Sequence, residues 1–309
     1  MSREIKKVVL TGATGMIGVT LINHLLQQNI EVSVIIRPNS KKRSQLPKSE
    51  KLKVIEIDLA NISKAVDFLD DKYDAFYHLG WDGTYGESRN DMYTQNLNVK
   101  YTLDAVELAH KLGCSVFVGA GSQAEYGRTK EKLGPSTPTF PENGYGIAKL
   151  CAGQMSRVMC EKYNMTHIWT RILSVYGPFD GSQTMIMSGI RQMLAGESPK
   201  YTKGEQMWDF LYSKDAANAL YLIAKNGIHG SIYCIGGGKV RSLADYIQIM
   251  RNSINAKLNI QLGAVPYADR QVMYLCADID NLTRDTGFVP KYSFEDGIIE
   301  TIEWCRKNK

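Results

Sequence analysis

Tyr145 and Lys149 lie four positions apart, with Gly146, Ile147 and Ala148 between them. On a helix that spacing puts both side chains on one face. A free phenol ionises near pH ~10 and is a poor base at neutral pH. A nearby ammonium favours the phenolate, and such a pair could exchange a proton with a carbonyl or an alcohol. The chain holds three Tyr-x-x-x-Lys matches, and two of them read otherwise. Tyr126 to Lys130 crosses a Gly-Arg-Thr loop, and Tyr221 to Lys225 encloses Leu222, Ile223 and Ala224, which reads as packing. Only Tyr145 opens a long helical stretch after a strand that ends in a hydroxyl-bearing loop, Gly119 to Gly127. In that loop the Ser122 hydroxyl could hold a substrate oxygen near Tyr145, although a serine at a strand end can equally satisfy a turn.

The elements that must position these groups begin near residue 8. The apolar run Val8-Val9-Leu10 ends in Thr11-Gly12-Ala13-Thr14-Gly15-Met16-Ile17-Gly18, and Leu21, Ile22, Leu25 and Leu26 follow at helical spacing. This is a strand, a glycine turn and a helix. Glycine serves a tight bend, close backbone approach to a pyrophosphate and close helix-on-strand packing, and the helix start attracts an anion. The next apolar run, Val32 to Ile36, arrives where a βαβ unit needs its second strand. A dinucleotide site is expected here.

Further strands are expected at 53–57, 75–79, 115–118 and 166–172, with helices at 16–28, 92–112 and 146–163. This alternation predicts an α/β fold, a Rossmann-type doubly wound parallel sheet. After Tyr176 the pattern breaks into Gly- and Pro-bearing loops, short helices such as Ser242 to Ser253, and a closing helix from Phe294 to Arg306. The expected division is a dinucleotide-binding domain of 1–177 plus about 207–230 and a smaller C-terminal substrate lobe of about 178–206 plus 231–309. Such a lobe would cover a ligand beyond the carboxyl ends of the strands.

Composition fits a soluble globular protein of 309 residues, with 44% hydrophobic and 22% charged residues. The net charge of +5 is mild and scattered apart from Lys41-Lys42-Arg43, so no basic face for nucleic acid is expected. No apolar stretch reaches membrane-spanning length and the N-terminus lacks a secretory h-region, which leads us to expect a cytoplasmic protein. The six cysteines are dispersed without Cys/His ligand spacing, so we expect reduced thiols and no metal.

These residues resemble the extended branch of the short-chain dehydrogenase/reductase family, nearly end to end. Thr11 to Gly18 is similar to its cofactor turn, Asp58-Leu59 to its adenine-contacting pair, and Phe76 to Gly80, which includes Leu79, to its fourth-strand signature. Asn98 matches an asparagine on the following helix, Ser122, Tyr145 and Lys149 match the catalytic trio, and Arg171 to Pro178 resembles a late signature. Trp208 to Asp215 and Gly287 to Pro290 extend the match. The resemblance implies hydride transfer between a nicotinamide and a carbinol carbon. Tyr145 would act as acid/base, Lys149 would lower its pKa and contact the ribose, and Ser122 would polarise the substrate oxygen. Cofactor contacts would come from Gly12, Thr14, Gly15, Met16, Ile17, Arg37, Asp58, Leu59, Leu79, Gly80, Asn98, Tyr145 and Lys149. Trp81, Gln123, Ser174, Trp208 and Arg270 are the candidate substrate contacts.

Members of this branch commonly epimerise, dehydrate or reduce nucleotide-activated sugars. Dehydratases carry Thr-Asp-Glu where this chain has Ser122, Gln123 and Ala124, and the missing carboxyls argue against 4,6-dehydration. The second strand ends in Arg37 where members that prefer NAD usually have an acidic residue. Arg37, helped by Ser40 and Lys41, could hold a 2′-phosphate, which points to NADP, with NAD as the alternative. Trp208 and Ser174 stand where the branch often has the arginine and asparagine of a diphosphate site, and Arg270 or Arg191 could replace that charge. The expected activity is NADP(H)-dependent reduction or epimerisation of a nucleotide-linked (deoxy)hexose. Alternatives are a UDP-hexose 4-epimerase holding NAD, a reductase of a non-nucleotide ketone, and a non-catalytic dinucleotide-sensing module. The resemblance also implies a homodimer built on helices 92–112 and 146–163.

Overall fold

Apolar residues on both faces of the first strand require helices on both sides of a sheet. A computed structural model describes residues 2–69 and 72–308 and has that arrangement. Strands β1 (Lys7–Thr11), β2 (Glu31–Ile36), β3 (Leu52–Glu56), β4 (Ala75–His78), β5 (Val116–Ser122) and β6 (Thr166–Ile172) are followed by the short β7 (Ser174–Tyr176), β8 (Met207–Trp208) and β9 (Phe210–Tyr212). β10 (Ile232–Ile235), β11 (Arg241–Ser242) and β12 (Tyr274–Leu275) complete the strands. The helices are α1 (Met16–Gln27), α2 (Met92–Lys111), α3 (Gly144–Lys162), α4 (Met185–Leu194), α5 (Ser213–Asn226), α6 (Leu243–Asn255), α7 (Asp280–Thr286) and α8 (Phe294–Lys307).

Seven strands form one parallel sheet in the order β10-β6-β5-β4-β1-β2-β3. The chain leaves β1 toward β3, then returns to build outward from β4. That reversal opens a crevice at the carboxyl ends of β1 and β4. On one face Val8, Leu10 and Tyr77 pack with Leu21, Leu25, Leu220 and Ile223 of α1 and α5. On the other, Val9, Phe76 and Phe117 meet Ala105, Val106 and Ala109 of α2. A third core joins α4, α6 and α8 around Tyr176, Tyr212 and Phe294. No helix among the described residues is long and apolar enough to cross a membrane.

Two expectations need correction. Residues 232–235, assigned by the sequence reading to the second lobe, are the edge strand β10 and pair with β6 of the main sheet. The fifth strand runs on to Ser122, through glycines that read as loop. A Cβ at Gly119 would come 2.3 Å from the Trp169 ring, and one at Gly121 would come 2.3 Å from both the Glu125 carboxylate and the Trp169 indole nitrogen. The glycines make room for a large side chain on the neighbouring strand.

Candidate active site

Gly12 takes φ +72°, and a Cβ there would sit 2.5 Å from the Leu79 carbonyl carbon. A Cβ at Gly18 would sit 2.3 Å from the Gly12 oxygen, which locks α1 against the turn. Gly15 is the N-cap of α1 and has no side chain to satisfy the first helical N–H groups, those of Met16, Ile17 and Gly18. Its own Cβ position meets only the Gly12 oxygen, at 3.5 Å. The turn is therefore a cradle of open donors at a positive helix end, and its residues fit the pyrophosphate of a dinucleotide. Thr11 ties the carboxyl ends of β1 and β4 together: its Oγ1 accepts the Gly80 N–H at 3.1 Å and meets His78 Nδ1 at 2.9 Å. Burial pulls the His78 imidazole down to about 3.

The cleft above this turn has a volume of about 1180 Å³. Its walls include the predicted cofactor residues Gly12, Thr14, Gly15, Met16, Ile17, Arg37, Asp58, Leu59, Leu79, Gly80, Tyr145 and Lys149. Asn98 is not among them. It is buried on α2, where its side chain accepts the Asp82 N–H and donates to the Asp82 and Thr94 carbonyls at 2.9–3.0 Å, pinning the loop after β4. Lys42, and neither Ser40 nor Lys41, joins Arg37 on the cleft wall.

Ser122 ends β5 inside a capping box: its Oγ accepts the Ala124 N–H, while its own N–H donates to Glu125 Oε1 at 2.8 Å. Asn143 caps α3 by accepting the Gly146 N–H at 2.9 Å. The helix therefore starts at Gly144, two residues before the expected boundary, and an N-cap asparagine was the available signal. Burial raises the Tyr145 phenol above its ordinary value, opposed by a hydrogen bond with the Ser122 side chain and by the charge of Arg89. Lys149 Nζ donates to the Ala120 carbonyl at 2.6 Å, lies 3.7 Å from the Trp81 ring centroid and 5.8 Å from that of Tyr145. Burial lowers this ammonium to about 7, against the pull of Glu125.

Two supporting residues were given no role by the sequence reading. Glu125 is 0% exposed and holds Ser122, Trp169 Nε1 at 3.0 Å and Arg171 Nε at 2.7 Å. Gln95 accepts the Trp81 indole N–H and donates to the Gly83 and Ser88 carbonyls, all at 2.9 Å. Glu125 had one local signal, the Ser-x-x-Glu capping box with Ser122, but its partners Trp169 and Arg171, and the Trp81 partner of Gln95, lie on other elements.

The NAD dependent epimerase/dehydratase family is matched over residues 8–236. The chain belongs to this family. It is 25% identical to the dTDP-glucose 4,6-dehydratase of Escherichia coli over 98% of this chain and 94% of that one. It is similar to the solved UDP-N-acetylglucosamine 4-epimerase of Methanobrevibacter ruminantium M1, in complex with UDP-N-acetylmuramic acid, at 24% identity and a TM-score of 0.89 over 99% and 100% of the two chains. The UDP-glucuronic acid 4-epimerase of Bacillus cereus, in complex with NAD, aligns at 22% identity and a TM-score of 0.85 over 98% and 99%.

Trp81, Gln123 and Ser174 line the cleft, whereas Trp208 and Arg270 do not. Trp208 is half-buried behind Ser174 and donates its indole N–H to the Ser174 hydroxyl at 2.7 Å. Arg270 is exposed and adds to the lowering of the Glu142 carboxyl, which is dominated by the Arg128 hydrogen bond. Arg191, on α4, lines the wall instead, with Phe179, Phe210 and Trp304 nearby on that wall.

Proposed function

We propose that this family member is an NADP(H)-dependent oxidoreductase that reduces or epimerises a nucleotide-linked hexose. The observation that carries the reading is the convergence of Ser122, Tyr145 and Lys149 on the wall of a cleft whose floor is the glycine cradle. At about 1180 Å³ the cleft exceeds the range of roughly 300–1,000 Å³ typical of one small ligand, which suits a dinucleotide beside a nucleotide sugar. When bound, the nicotinamide supplies or accepts the hydride. Tyr145 Oη moves the proton of the reacting hydroxyl, Ser122 Oγ holds its oxygen, and Lys149 presents an ammonium poised near neutral pH. Dehydration is disfavoured, because the Glu125 carboxylate is committed to Ser122, Trp169 and Arg171 and is absent from the cleft wall.

NADP is supported by Arg37, directly after β2, and Lys42, in the loop that follows, both on the cleft wall. The carboxylate at the end of neighbouring β3, Glu56, is occupied by Arg43 and the Asn39 N–H. The test is titration of cofactor-free protein with NADPH and NADH. We expect an NADPH preference that falls roughly 10- to 100-fold in Arg37→Ala, the worth of one or two charge-assisted hydrogen bonds. A second reading, a UDP-hexose 4-epimerase with tightly held NAD, is supported by the UDP-sugar 4-epimerases among the similar structures and the NAD in one of them. An NADH preference, or NAD that copurifies, would select it.

The reading includes a cytosolic homodimer. The six cysteines are unpaired, as suits a reducing compartment. Met92, Tyr93 and Leu97 of α2 and Ile147, Met155 and Val158 of α3 are exposed large apolar side chains on two packed helices. Such a patch fits a partner copy. Light scattering at micromolar concentration should give the mass of two chains, and a one-chain mass would refute the dimer.

A further inference from the structure

The 3-10 turn Gly86–Asn90 carries Arg89 to the face of the Tyr145 ring, with the guanidinium carbon 4.6 Å from the ring centroid. No described carboxylate pairs with this guanidinium. Its backbone is held against the start of α3. Asn90 Oδ1 accepts the Gly144 N–H at 3.0 Å, Gln95 Nε2 donates to the Ser88 carbonyl at 2.9 Å, and a Cβ at Gly144 would come 3.1 Å from the Arg89 oxygen. The cation therefore stands on a fixed support one residue away from Tyr145.

Other groups around the ring supply less permanent charge. Trp81 meets it edge-on with centroids 6.1 Å apart. Lys149 is 5.8 Å from the ring centroid, but its Nζ is spent on the Ala120 carbonyl and the Trp81 face, and burial lowers it to about 7. Glu125 and Tyr85 favour the neutral phenol, while Ser122 and Arg89 favour the phenolate. Of the two nearby cations, only the guanidinium stays charged throughout the working range.

We propose that Arg89 is a positioning residue for Tyr145, a permanent cation laid on the phenol ring that fixes its orientation and favours its ionised form. The proposal rests on the reading of Tyr145 as acid/base, and its test needs no substrate. Full-length protein is labelled with ¹³C at tyrosine Cζ, and the resonance missing from Tyr145→Phe identifies Tyr145. Its pH titration is then followed in wild type, Arg89→Gln and Arg89→Lys. Loss of the cation should move the midpoint up by about one pH unit, a tenfold loss of phenolate at a given pH, and Arg89→Lys should restore most of it. Arg89→Met, which keeps the apolar stem, replaces the glutamine variant if that one does not fold. An unmoved midpoint, or a wild-type resonance that stays neutral up to alkaline unfolding, would overturn the proposal. Near-native turnover by Tyr145→Phe would instead overturn the acid/base reading beneath it.

Discussion

Tyr145→Phe is expected to lower turnover by roughly 10²- to 10⁴-fold, the usual contribution of a positioned general acid/base, while cofactor affinity stays near wild type. The phenylalanine keeps the ring that meets Trp81 edge-on and lies under Arg89, so the wall retains its shape. What disappears is the hydroxyl that hydrogen-bonds with the Ser122 side chain, the group proposed to move the proton. The measurement is turnover on a panel of UDP- and dTDP-hexoses, paired with NADPH and NADH titrations of the same variant. Turnover within a few-fold of wild type would remove Tyr145 from the chemistry. Loss of cofactor binding along with turnover would mark the residue as structural support for the cradle.

Glu125→Ala should be the most destabilising of the substitutions considered, at about 3–5 kcal/mol, because it strands a buried guanidinium. The side chains of Glu125 and Arg171 are 0% and 3% exposed and 2.7 Å apart. The same change frees the Ser122 N–H and the Trp169 indole N–H, both of which need acceptors inside the protein. Denaturant unfolding monitored by circular dichroism should show the midpoint fall sharply. The double variant Glu125→Leu/Arg171→Met should recover much of the loss, since removing both charges leaves neither uncompensated. A single variant within about 1 kcal/mol of wild type would mean that the pair is not the clamp on the Ser122 loop.

The strand–turn–helix opening and the alternation behind the parallel sheet were legible because each depends on local period, whereas Ser122, Tyr145 and Lys149 were picked out by context and by family resemblance, and the fold places all three on one cleft wall. Gly12 to Gly18 reads as a cradle since the turn, the donors and the helix start lie within a few residues. Elsewhere local rules pointed the wrong way. Gly119 and Gly121 read as loop, yet they are strand residues made small by Trp169. Of the two spare cations the sequence offered, Arg270 and Arg191, the fold brings only Arg191 to the cleft wall.

By itself, then, the sequence determined the family and the order of strands and helices, and it named the candidate groups for chemistry. Tertiary structure alone decided their environment. It committed Glu125 to Arg171 across 46 positions and turned Asn98 from the cleft to the Asp82 loop. It set Trp208 behind Ser174 and laid Arg89 on Tyr145. Periodicity reports which face of an element is buried, but hydrogen-bond and charge partners come from other elements, and those neighbours exist only once the sheet has brought distant segments together.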